Sequence, residues 1–162
     1  MIKKALFCVS LFLLIQVSIS LTAAGTGTTR NLLYYPEDYE GKTLVFKKAK
    51  IGVPVVKNRH TGVYPLHVEI NGKYIPGTLF KSQLNFVVVS PKLADRLITQ
   101  LKRNLKYHKP SHEHNLMDHL YSVGACSVGL TAKIQKLFGY WMAVVSKVEF
   151  YDKEGSITNT VK

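Results

Sequence analysis

The densest group of chemically capable side chains is a run of histidines. His108, His112, His114 and His119 fall within twelve residues, with Glu113 and Asp118 among them. Imidazole and carboxylate are ligands for zinc, copper or nickel. His112, His114 and His119 are the candidates for a shared ion, so a metal-binding protein is one reading of the chain. The spacing argues against it. His112 and His114 stand two apart in a polar stretch, without the i, i+4 stagger that puts two imidazoles on one helix face. A polar loop that gains charge below pH ~6.5 is the plainer expectation. No cofactor is expected.

A nucleophile needs a base within reach and a group to orient that base. Serine, histidine and aspartate are all present, but no Gly-x-Ser-x-Gly elbow places them and no glycine-rich loop cradles a phosphate. Cys126 falls on the apolar side of an alternating segment, where a thiol is inert. The sequence therefore points away from an enzyme and towards a binding or adaptor module.

A second set of residues combines cations with aromatic rings. Lys57 and Arg59, beside His60, occupy one basic loop; Lys136, Phe138 and Tyr140 surround a turn; Tyr64 and Tyr74 fall in or beside strands. Lys and Arg pair with phosphates or acidic sugars while rings stack on bases or sugar faces. The competing reading has the lysines keeping an edge soluble and the rings packed in a core. The balance of 22 Lys and Arg against 10 Asp and Glu, a formal charge of +12, favours anionic partners. Nucleic acid, an acidic polysaccharide or an envelope protein would each fit. A structural envelope component that pairs through an exposed strand edge is a third reading.

The elements that would position these residues begin after a targeting segment. Lys3 and Lys4 precede an uncharged apolar run from Ala5 to Leu21, and Thr22-Ala23-Ala24 supplies small residues. This is the design of a secretory signal, with cleavage near Ala24 or earlier, after Ser20. The chain is expected to be exported to the periplasm or beyond. No later segment is long and apolar enough to span a bilayer as a helix. Residues 1–24 are read as signal, 25–40 as a linker and N-terminal arm, and 41–162 as a single β domain. Without Cys8, Cys126 is the only cysteine, so no internal disulfide forms.

Strands are expected over Thr43–Ile51, with a bend at Gly52, and over Val63–Ile70, where Leu66, Val68 and Ile70 alternate with His67 and Glu69. Asn71-Gly72 is a two-residue hairpin signal. Lys73–Ile75, Thr78–Phe80 and Leu84–Val89 continue the β pattern. Ser90-Pro91 then opens a helix to about Leu105 with a stripe of leucines, the one segment of clear helical period. Tyr121–Lys136 and Tyr140–Tyr151 alternate about a turn at Phe138-Gly139, with Met142, Val144, Val148 and Phe150 on one face. Ser156–Val161 is read as an added edge strand.

This order is mainly β with one helix between the third and fourth strands. It resembles the OB-fold, a five-stranded Greek-key barrel; an open α+β sheet with one packed helix is the alternative. The stretches Tyr39-Glu40-Gly41-Lys42, Phe86-Val87-Val88-Val89-Ser90-Pro91 and Val145-Ser146-Lys147-Val148-Glu149-Phe150 are similar to small exported bacterial OB-type proteins of unassigned role. The resemblance implies a ligand face across strands two and three, bordered by the loops that hold Lys57, Arg59, Lys136, Phe138 and Tyr140.

Overall fold

The computed structural model describes residues 21–22, 26–52, 56–104 and 126–162. Of the segment read as signal, residues 1–20 and 23–24 lie outside the described residues, as does the whole histidine run, with His112, His114 and His119. Within them the chain forms nine strands and two α-helices.

Strand β1 (Leu21–Thr22) lies parallel to the start of β2 (Thr43–Gly52). Between them come α1 (Thr26–Tyr34) and a 3-10 turn at Pro36–Tyr39. Where a linker and arm were expected, the chain forms a helix and a 3-10 turn. Gly and Thr are poor helix formers, but Leu32 and Leu33 are buried in the core, and that burial outweighs local propensity. Lys73 also holds the helix end: its Nζ donates to the Tyr34 hydroxyl at 2.9 Å and sits 4.0 Å from the ring centroid.

Strands β3 (Tyr64–Pro65) and β4 (His67–Ile70) are two pieces of one run, separated by Leu66. Asn71 and Gly72 turn the chain with φ of 51° and 76°, the left-handed pair that a two-residue hairpin requires. Strand β5 (Lys73–Ile75) returns along β4, and β6 (Asn85–Val88) follows after an irregular stretch. Thr78–Phe80, read as β, is not a strand. Helix α2 (Pro91–Asn104) begins where Ser90 Oγ accepts the Leu93 N–H at 3.3 Å, with proline at its first position. Strands β7 (Cys126–Leu137) and β8 (Tyr140–Tyr151) form a long hairpin about Phe138 and Gly139, and β9 (Ile157–Val161) runs back along the end of β8.

β2 pairs antiparallel with β4 on one side and β7 on the other; β7 pairs with β8, and β8 lies parallel to β6. β6 pairs with β3, and the Leu66 N–H between β3 and β4 donates to the Phe86 carbonyl at 2.8 Å. The sheet is thus curled into an open half-barrel with β3 and β5 at the ends of its pairing path. The fold is mainly β with one main helix. Leu93, Ala94, Leu97 and Leu101 of α2 share one buried core with Phe46, Phe86, Leu130 and Phe150. No helix among the described residues is long and apolar enough to cross a membrane.

Two irregularities decide which side chains reach the outside. The β2–β7 register breaks between Phe46 and Ala49, so Lys47 and Lys48 together oppose Gly129. Gly52 pairs in register with His67, so no bulge against β4 falls there. The β7–β8 register breaks at Ser146, which reverses the alternation of β8. Ala143 and Val145 consequently share the main core with Val148 and Phe150. Met142 and Val144, expected on that face, instead join Val63 and Val87 in a second cluster.

Candidate anion-binding groove

The bulge in β2 gathers lysines. Two consecutive residues opposite one cannot both obey the in–out alternation of a strand, so Lys47 and Lys48 are both exposed beside the buried Ala49. Gly129, across the ladder, is buried, and a Cβ there would collide with the Tyr151 hydroxyl and come within 3.2 Å of Tyr151 Cζ. Its missing side chain is what lets the Tyr151 ring lie across β7. The result is an open groove of about 490 Å³ lined by Lys47, Lys48, Lys50, Ser127, Tyr151 and Lys153.

The charges around the groove are unbalanced. Glu69 is taken by Lys50 at 2.9 Å and Glu149 by Lys147 at 2.8 Å. Asp152 also lines the groove, its Oδ1 accepting the Ser156 N–H at 2.7 Å to close the β8–β9 turn, and its charge offsets part of the lysines'. Lys47, Lys48 and Lys153 have no acidic partner among the described residues. Burial and the nearby Glu149 carboxylate hold the Tyr151 hydroxyl above the ordinary phenol range, so it is a neutral hydrogen-bonding ring at physiological pH. Unpaired ammonium groups around a half-exposed ring suit a phosphate, sulfate or carboxylate carried on a base or sugar.

The residues expected from sequence lie on the β2–β3 loop, on β3 and β5, and on the β7–β8 hairpin, and Val63 beside Tyr64 shares the second cluster with Tyr140. Lys57 and Arg59 are exposed in the β2–β3 loop, where Asn58 Oδ1 accepts the His60 and Thr61 N–H groups at 3.0 Å. Tyr64 packs on the main core opposite Val88. Tyr74 is half-buried, its hydroxyl 2.6 Å from His67 Nδ1 and its ring stacked on the imidazole. Lys136, Phe138 and Tyr140 belong to the β7–β8 hairpin: Lys136 Nζ lies 5.5 Å from the Trp141 ring centroid, Phe138 is 63 % exposed at the tip, and Tyr140 packs on the second cluster. Tyr64 and Tyr140 therefore sit towards opposite ends of the β6–β8 ladder.

No group among the described residues holds three His, Cys, Asp or Glu close enough for a metal. Cys126 is half-buried, and burial pushes its thiol up, away from the reactive thiolate. Sequence reasoning missed Lys47, Lys48, Tyr151 and Lys153 as site residues. One signal was available: two adjacent charges before a buried alanine break the two-residue period, which is the mark of a bulge. Nothing in the sequence ties Tyr151 to Gly129.

No protein-family model, curated protein or solved structure matches the chain.

Proposed function

We propose that this protein is an exported, non-enzymatic binding module whose ligand is an anionic polymer, nucleic acid or acidic polysaccharide. The observation that supports this is the groove at the β2 bulge, where Lys47, Lys48 and Lys153 stand without acidic partners around the Tyr151 ring. Lysines serving solubility alone would need no glycine opposite them and no ring laid between them. The signal-like segment, with its earlier cleavage point after Ser20 that leaves β1 in the mature chain, supports export.

The test is a titration of the purified chain with heparin and with single-stranded DNA at several salt concentrations. Binding should weaken steeply with salt, and Lys47→Ala/Lys48→Ala/Lys153→Ala should lower the salt slope by about one for each anionic group no longer neutralised. Trp141 stands at the opposite end of β8 from Tyr151, roughly 30 Å away at ~3.3 Å per residue. Its fluorescence should therefore stay constant as the groove fills. A Trp141 response with unchanged affinity in the triple variant would move the ligand to the Lys136, Phe138 and Tyr140 hairpin. No binding at low salt would end the polyanion reading.

A further inference from the structure

We infer that the outer edge of β9 is a docking strand for an extended acidic peptide segment of a partner protein. Among the described residues β9 is paired with β8 on one side only. Its other edge faces α2 across a groove of about 420 Å³ lined by Arg96, Arg103 and Asp95 from the helix and by Asn159 and Thr160 from the strand. The backbone groups along this edge are met by side chains. The Thr160 N–H donates to Asn159 Oδ1 at 2.8 Å, and the Lys162 carbonyl accepts Arg96 Nη1 at 3.2 Å. Residues 160 and 162 share parity, so these groups look the same way along the strand.

Edge strands are ordinarily guarded by lysine, proline or a covering element. Ile157-Thr158-Asn159-Thr160-Val161 carries no charge and no proline, all but Asn159 are β-branched, and its register shift against β8 falls at Thr158, leaving Asn159–Val161 regular. It is a strand well suited to pairing and held open by one asparagine and one arginine. A segment entering the groove would exchange those side-chain bonds for a backbone ladder, the usual mode of strand addition. Two arginines against one aspartate on the helix wall select acidic side chains on the face of the incoming strand that meets α2. The stretch of β9 in unbroken register with β8, Asn159–Val161, gives about 10 Å of ladder for a short linear segment. The anion groove at the β2 bulge plays no part in this.

The experiment uses a fluorescein-labelled eight-residue peptide alternating valine and glutamate, with two controls: lysine replacing glutamate, and N-methylation at alternate residues. The acidic peptide should bind the ¹⁵N-labelled chain and move the Thr158 and Thr160 amide resonances. Arg96→Ala/Arg103→Ala should weaken it about fivefold, and Lys47→Ala/Lys48→Ala/Lys153→Ala should leave it unchanged. Equal binding of the N-methylated or the lysine peptide would overturn strand addition by an acidic segment. So would loss of binding in the lysine triple variant alone. Concentration-dependent dimerisation that shifts the same amides would assign the edge to a second copy and overturn the acidic partner.

Discussion

Asn85 is the polar side chain buried most completely among the described residues, at 1 % exposure. Its Oδ1 accepts the Phe80 N–H at 2.8 Å, and its Nδ2 donates to the carbonyls of Phe80, Gln83 and Trp141. One side chain thus ties the irregular stretch before β6 to β8. Asn85→Ala would leave a buried donor and several carbonyls without partners, and should cost about 3 kcal/mol in urea unfolding with little change in slope. His67 makes a different residue-scale prediction. Burial lowers its pKa, and its Nδ1 accepts the Gly77 N–H at 3.0 Å. The unfolded chain then binds the proton more readily than the folded one. The contribution of this site is therefore full above the free value of ~6.5 and is lost as pH falls towards the folded pKa. Urea midpoints should drop on acidification in the parent and drop less in His67→Gln. The alternation of His67 with core residues was readable from the sequence. The closure of Tyr74 and Gly77 on its ring was not, because Gly77 meets it only through the β4–β5 turn.

At the scale of elements, strands and turns were legible wherever local chemistry and tertiary packing agreed. Asn71-Gly72, Ser90-Pro91 and Phe138-Gly139 fall at the expected boundaries, and β8 spans the residues its alternation marks. α1 was missed because its stability comes from Leu32 and Leu33 in the core and not from propensity. The register shifts at Ser146 and Thr158 were missed because each depends on a partner strand, and the β2 bulge was missed although its paired lysines break the two-residue period. The β2 bulge can be tested through Gly129. Gly129→Ala must displace the Tyr151 ring, a clash expected to cost about 1–3 kcal/mol. Adding Tyr151→Ala should recover most of that loss, so a double-mutant cycle in thermal unfolding would show strong coupling. Additive losses would mean that the ring does not rest on Gly129.

At the scale of the whole molecule, the curled sheet and its single main helix were legible from element order alone. The candidate groove was not, since it joins β2, β7 and the β8–β9 turn, which are distant in sequence. Net charge was readable; its placement required the fold. The second cluster constrains how the molecule opens. β6 is buried along its whole length, with Phe86 and Val88 facing one cluster and Val87 the other, and it is paired on both sides. No partial opening can wet its amides without dismantling both clusters. The Phe86, Val87 and Val88 amides should exchange with deuterium only through global unfolding, at rates that track the urea-derived free energy, while those of β9 exchange through local fraying.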